Sequence, residues 1–233
     1  MCRCPVERNR GSALNQYFLE CGPFTASAPD GRILYRDVEV SIGPCFVLLY
    51  GASGCGKTTL LRQIAGLAPS DKARRVIKGQ EYGADRLPEW RSRVTLMAQD
   101  APVLRGSVEE NLVFPFGLKN AGKRIFDRAK ASKLMEQTGL GHVSMDQRAK
   151  SLSGGERHRL NMIRALLWDP DVLLADEPLT GLDVPTAEKC FSLLRDFTAR
   201  GGKAVICVLH DLEYRNQVDV LMHISDSGIQ SGP

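Results

Sequence analysis

Short apolar runs separated by turn residues characterise the first part of the chain. Turn signals over residues 29–31 and 43–44 divide residues 14–50 into alternating segments, which predict antiparallel strands. Residues 45–50 are continuously apolar, as is typical of a strand that is buried on both faces. Residues 1–13 lack such a pattern, and we expect them to form a flexible tail.

Strand and helix patterns alternate along the rest of the chain. They predict helices over residues 57–65, 124–138, 156–167 and about 185–198, and strands over residues 94–98, 172–175 and 204–209. This alternation predicts an α/β fold, a parallel sheet flanked by helices. We expect one domain over residues 14–233, with an antiparallel β subdomain near its N-terminus and a helical insertion over about residues 100–168.

Composition excludes several classes of protein. The chain has 233 residues, of which 43% are hydrophobic and 25% charged, so it is not a disordered chain, a collagen-like repeat or a disulfide miniprotein. Its net charge of +4 indicates an ordinary mixed-charge surface and no nucleic-acid partner. Apolar runs stay well short of the roughly 18 residues that cross a membrane, and the N-terminus lacks the apolar segment of a secretory signal. These features predict a cytosolic protein.

The seven cysteines are odd in number and mostly isolated, which favours small buried side chains in a reducing compartment. Cys2 and Cys4 resemble half of a zinc site, but no second pair follows at zinc spacing, so a loose tail is the better interpretation.

A phosphate-binding loop follows the apolar strand. Residues 51–58 match G-x-x-x-x-G-K-[ST] in full, directly before a predicted helix. Such a loop turns backbone N–H groups towards an anion, and the helix adds its partly positive N-terminus. Lys57 would reach the β- and γ-phosphates, and Thr58 would offer its hydroxyl to Mg²⁺. The residues predicted to hold the nucleotide are Gly51, Ala52, Ser53, Gly54, Cys55, Gly56, Lys57, Thr58 and Thr59.

Two adjacent carboxylates end the strand over residues 172–175. Ligands of parallel sheets bind at the carboxyl ends of the strands, which is where Asp176 and Glu177 lie. Because side chains alternate along a strand, the two carboxylates can serve different purposes. We expect Asp176 to hold Mg²⁺ and Glu177 to orient and deprotonate the attacking water.

A second glycine motif, Leu-Ser-Gly-Gly-Glu, occupies residues 152–156. Ser153 and Glu156 have the spacing of a capping box and predict the start of a helix. Gly154 and Gly155 allow a backbone to approach a phosphate closely at that helix end. One ATP hardly needs two phosphate-binding helix ends from one molecule, so this second end is expected to serve another site.

The chain from about residue 14 to residue 225 resembles the ATP-binding subunits of ABC transporters. Residues 152–156 match the family's signature motif, Gln99 its Q-loop, residues 181–183 its D-loop and His210 its switch histidine. The run Glu-Asn-Leu-Val-Phe-Pro-Phe at residues 110–116 is similar to the ATPase of the bacterial Fet-type iron-export system.

That resemblance implies a head-to-tail homodimer in which each ATP lies between the phosphate loop of one copy and the signature motif of the other. Lys57, Gln99, Glu177 and His210 would then act in hydrolysis, and Thr58, Gln99 and Asp176 at the Mg²⁺. Ser153, Gly154, Gly155 and Asp183 would act across the interface.

The resemblance also implies a partner, a separate transmembrane permease that holds the chain at the cytoplasmic face of the membrane. Residues 100–120 would form the groove that receives it, with Val113, Phe114, Phe116 and Leu118 partly exposed to that partner or packed in the core. The usual adenine-stacking aromatic has only Phe24 as a candidate.

Other functions remain open from the sequence. The chain could power an importer or another exporter rather than iron export. A soluble ABC ATPase of DNA repair would carry a long coiled coil, and one of translation would carry two cassettes. A P-loop kinase of small metabolites would need an acceptor site and a lid but no signature motif.

Overall fold

A computed structural model describes residues 17–70, 72–99, 102–209 and 212–232. These residues form two β-sheets and six α-helices, joined by short 3₁₀ turns. The strands are β1 (Leu19–Ser27), β2 (Ile33–Ile42), β3 (Phe46–Tyr50), β4 (Arg74–Ile77), β5 (Gln80–Glu81), β6 (Val94–Met97), β7 (Val172–Asp176), β8 (Ala204–Val208), β9 (Val220–Ser225) and β10 (Gly228–Gly232). The helices are α1 (Lys57–Ile64), α2 (Leu87–Arg93), α3 (Val108–Val113), α4 (Arg128–Gln137), α5 (Gly154–Trp168) and α6 (Val184–Ala199).

The larger sheet has the strand order β10-β9-β3-β8-β7-β6, and it is parallel except for the antiparallel pair of β9 and β10. Strand β3 lies inside this sheet and explains the continuous apolar run. Its residues alternate between two hydrophobic cores, since Val47 and Leu49 pack on one face and Phe46 and Leu48 on the other. The prediction of a parallel sheet with a central strand buried on both faces is confirmed.

The smaller sheet, β2-β1-β4-β5, is antiparallel and shares the first core with α1. The prediction of antiparallel strands and of a turn over residues 29–31 is confirmed, because β1 and β2 pair across that turn. Phe24 of β1 is completely buried in this core. It therefore cannot stack on a nucleotide base, and the adenine candidate from the sequence is wrong.

Helices α3, α4 and α5 pack with α6 around the second core, on the opposite face of the parallel sheet. The helix predicted over residues 124–138 begins only at Arg128, because Asp127 takes the N-cap position and accepts a hydrogen bond from the Lys130 N–H. Helix α5 begins at Gly154, two residues before the predicted start. Local caps thus decided both boundaries.

Several elements carried too little apolar pattern to be predicted. They are the short strands β4 and β5 and the helices α2 and α3. Helix α3 did have a readable signal, a capping box in which Ser107 and Glu110 bond each other's backbone N–H groups.

Four of the cysteines that were predicted to be small buried side chains are buried, namely Cys21, Cys45, Cys190 and Cys207. Burial raises the pKa of Cys190 to about 11, so this thiol stays protonated and acts as a packing group. Cys2, Cys4 and the predicted tail over residues 1–13 lie outside the described residues. Among the described residues, the helices are too short or too polar to span a bilayer.

Candidate nucleotide site

The phosphate loop joins β3 to α1 and is shaped by close packing beneath it. Gly56 caps α1 with a φ of 100°, and a Cβ atom there would lie 2.8 Å from Cε1 of the buried Tyr35. Lys57 begins the helix, and its Nζ donates to the carbonyl oxygens of Gly51 at 2.9 Å and Ala52 at 3.0 Å. The ammonium group therefore lies over the loop, where phosphates of a bound nucleotide would meet it.

The remaining loop residues are partly or fully accessible to a ligand. Ala52, Ser53 and Gly54 are exposed, and Thr59 is half-buried in the first turn of α1. Cys55 is half-buried against the first core, the one that contains Val47 and Leu49, where a small side chain fits.

Thr58 and Asp176 meet where α1 begins and β7 ends. The Thr58 hydroxyl donates to Asp176 Oδ1 at 3.2 Å, and Asp176 is only 2% exposed. Burial raises the pKa of Asp176 above its ordinary value, and the neighbouring Glu177 charge adds to this, while the Thr58 hydrogen bond opposes it. A hydroxyl and a carboxylate are hard oxygen ligands that suit Mg²⁺, which would neutralise phosphate charge when bound.

Glu177 has quite different surroundings from its neighbour Asp176. It is half-buried, it has a φ of 50°, and its N–H donates to the carbonyl oxygen of Val208 at 3.1 Å. Its Oε2 accepts a hydrogen bond from Gln99 Nε2 at 2.7 Å and another from the Thr180 hydroxyl at 3.2 Å. The structure therefore brings Gln99, from the end of β6, to the carboxylate of Glu177.

The second glycine motif forms the start of α5, as its capping-box spacing predicts. The Glu156 N–H donates to Ser153 Oγ at 3.3 Å, and the Ser153 N–H donates to Glu156 Oε2 at 2.7 Å. These bonds, together with His142 at 3.0 Å, lower the pKa of Glu156 to about 2. Glu156 is thus a charged cap.

The two glycines of this motif lie at an accessible surface beside the D-loop. A Cβ atom on Gly154 would meet no atom within 4 Å, and one on Gly155 would lie 3.7 Å from the carbonyl oxygen of Gly181. Two residues further on, Asp183 is exposed and caps α6 by accepting from the Thr186 N–H at 3.3 Å. The residues predicted to act across an interface therefore adjoin one another.

His210 lies outside the described residues. Thr180 was missed from the sequence, although a hydroxyl residue three positions after an acidic residue in a turn is a signal for such a hydrogen bond.

Comparison with known proteins gives a consistent result. The family model described as "ABC transporter" matches residues 36–180, which include the phosphate loop, the signature motif and the acidic pair. The phosphonates import ATP-binding protein PhnC of Trichormus variabilis is 37% identical over 174 residues, covering 72% of this chain and 71% of that protein. The lipoprotein-releasing system ATP-binding protein LolD of Idiomarina loihiensis is 33% identical over 210 residues, covering 86% of this chain and 91% of that protein.

Among solved structures, CbiO1 of Clostridium perfringens, described as part of the ABC transporter complex CbiONQ, supports the fold. It has a TM-score of 0.73 at 21% identity, with 94% of this chain and 89% of that chain covered. The predicted α/β architecture is thereby confirmed. By the family match and the identity to its relatives, this chain belongs to the ABC transporter family, as an ATP-binding subunit that hydrolyses ATP with Mg²⁺ to drive transport.

Proposed function

We propose that two copies of this chain close head to tail around ATP and that this closure drives a separate membrane permease. The observation that supports it is the accessible start of α5. The Glu156 N–H donates to the Ser153 hydroxyl. The N–H groups of Gly154 and Gly155 lie in the first turn of α5, where backbone N–H groups have no acceptor within the helix. An exposed helix start of this kind binds anions, so it suits a phosphate held by a second copy.

In this proposal the groups on one chain divide the work at one ATP. Lys57 neutralises the β- and γ-phosphates, Thr58 and Asp176 hold Mg²⁺ together with Gln99, and Glu177 takes the proton of the attacking water. His210 would assist at the γ-phosphate. The second copy contributes Ser153, Gly154, Gly155 and Asp183. Loss of the γ-phosphate on hydrolysis removes contacts that join the copies, and the dimer opens.

The test is Glu177→Gln in the full chain, with Glu188→Gln on the exposed face of α6 as the matched control. Removing a general base costs about 100-fold or more in rate, so steady-state ATP turnover of Glu177→Gln should fall by at least that factor. With ATP and Mg²⁺, size-exclusion chromatography should show this variant accumulating as a dimer. Wild-type turnover in Glu177→Gln, or a monomer in the presence of ATP, would contradict the proposal.

We further propose that the permease docks on α3 and the 3₁₀ turn Phe114–Gly117. Val113, Phe114 and Leu118 are 37%, 49% and 43% exposed, and they line a groove of about 610 Å³. Large exposed apolar side chains that share one groove are typical of an interaction site. Phe116, predicted as a further candidate, instead packs against Phe126 and Trp168 at the edge of the second core.

The direction of transport follows only from similarity. PhnC is named for phosphonate import and LolD for lipoprotein release. Because PhnC, at 37% identity, is more similar to this chain than LolD, at 33%, import is the direction that we favour, and the iron export suggested by residues 110–116 gains no support from these relatives. Binding to a permease would place the chain at the cytoplasmic face of the membrane as a peripheral subunit.

A further inference from the structure

One oxygen atom of the proposed general base accepts two side-chain hydrogen bonds. Glu177 Oε2 accepts from Gln99 Nε2 at 2.7 Å and from the Thr180 hydroxyl at 3.2 Å. The donors come from different parts of the fold, since Gln99 follows β6 and Thr180 lies in the turn before α6. Together they set the direction of the carboxylate from two sides.

The backbone at Glu177 is already constrained. A φ of 50° is uncommon for a residue with a side chain and is maintained only where the surroundings enforce it. Here the Glu177 N–H is held by the Val208 carbonyl oxygen at 3.1 Å, at the end of β8. The backbone therefore fixes the position of the Glu177 Cα atom, and the two donors orient the carboxylate at the end of its side chain.

The Thr180 hydroxyl is not required to form this turn. The Thr180 backbone N–H itself donates to the Glu177 carbonyl oxygen at 3.3 Å, and the Leu182 N–H donates to Leu179 in the same way at 3.3 Å. Thr180 is exposed, so removing its hydroxyl buries no unpaired polar group. Its loss would act on the carboxylate rather than on the stability of the fold.

We propose that Thr180 is a positioning residue that keeps the Glu177 carboxylate aimed at the attacking water, which rests on the proposed role of Glu177 as the base. Gln99 is also a proposed magnesium ligand through its amide oxygen, so the position of its Nε2 depends on how the amide is oriented by the ion, whereas the Thr180 hydroxyl has no such second role. When Gln99 turns towards the ion, the Thr180 hydroxyl continues to hold Oε2. Proton transfer needs the base within hydrogen-bond reach of the water, and small misplacements of reacting groups are costly.

The test compares Thr180→Val, which keeps the shape but removes the hydroxyl, with Thr180→Ser, which restores it. Because Thr180→Val removes a hydrogen bond to a charged group at an exposed site, we expect its kcat to fall about tenfold. KM for ATP and the unfolding temperature should stay at wild-type values, because Thr180 does not contact the phosphate loop residues in this proposal. Thr180→Ser should recover most of the rate.

Two parallel variants separate the possible failures. Thr198→Val removes a hydroxyl that bonds the Arg195 carbonyl oxygen near the end of α6, and it should leave turnover unchanged. Glu177→Gln reports on the base itself. Normal kcat in Thr180→Val beside an inactive Glu177→Gln overturns the positioning role alone, whereas an active Glu177→Gln overturns the assigned base. Failure of Thr180→Ser to recover the rate, or a parallel fall in unfolding temperature, also overturns the positioning role.

Discussion

Adding one methyl group to the phosphate loop should have very different effects at two of its glycines. Gly54 and Gly56 both have positive φ, 72° and 100°, so each substitution by alanine strains the backbone. The space around them differs, because a Cβ on Gly54 meets no atom within 4 Å, whereas one on Gly56 lies 2.8 Å from the Tyr35 ring. Gly54→Ala therefore measures backbone strain alone, and Gly56→Ala adds a steric clash.

The Tyr35 ring has little freedom to move away from that clash. It is fully buried, and its hydroxyl donates to Gln63 Oε1 at 2.9 Å, while the Gln63 amide donates to the carbonyl oxygens of Thr25 and Pro69. A displaced ring would disturb this buried network.

The expected magnitudes follow from these two costs. A left-handed backbone conformation costs an alanine about 1–2 kcal/mol. The unfolded chain has less conformational entropy with alanine than with glycine, which returns about 0.4–1 kcal/mol of stability. The net cost of Gly54→Ala is therefore about 1 kcal/mol. Overpacking adds about 1–3 kcal/mol at Gly56, so the free energies of unfolding should differ by about 2 kcal/mol. For a chain of this size, that corresponds to a difference of about 4–8 °C in Tm.

Thermal unfolding without nucleotide, followed by circular dichroism, measures this difference directly. Gly56→Ala should unfold at the lower temperature, and it should also bind a fluorescent ATP analogue more weakly, because the strained residue is the N-cap of α1. Equal unfolding temperatures for the two variants would refute the assignment of Tyr35 packing as the reason for a glycine at position 56.

Three further predictions address the interface, the groove and the charged cap. In mixed dimers, Ser153→Ala should slow hydrolysis at the ATP held by the phosphate loop of the other chain and spare the second site; equal loss at both sites would contradict a shared site. Phe114→Ser should reduce the fraction of the chain that sediments with membranes of its own cells without lowering ATP turnover, whereas Ile125→Ser, which is 86% exposed outside the groove lining, should leave that fraction unchanged. Because the folded-state pKa of Glu156 is lowered from 4.5 to about 2, the stability it contributes is present above pH 4.5 and is lost as the pH falls towards 2. Glu156→Gln should therefore lower Tm at neutral pH, and the difference from wild type should shrink across that window; a difference independent of pH would exclude this charge as its cause.

The order and type of the main elements were readable from local patterns. A continuous apolar run predicted β3, the capping-box spacing of Ser153 and Glu156 predicted the start of α5, and the acidic pair was placed correctly at the end of β7. Boundaries were less accurate where a cap outweighed periodicity, as at Asp127 before α4. The strands β4 and β5 have four and two residues, too few for alternation to distinguish them from a loop.

Within the site, the sequence by itself determined which chemical groups are present, because the spacing of the glycines, Lys57 and Thr58 within one loop is a local property of the chain. Only the tertiary structure decided which distant groups meet. The approach of Gln99 and Thr180 to the same oxygen of Glu177 depends on the pairing of β6, β7 and β8, and the burial of Phe24 depends on which face of β1 meets α1. Such contacts depend on how strands far apart in the chain are ordered and aligned, which packing of the whole core decides and local patterns do not encode.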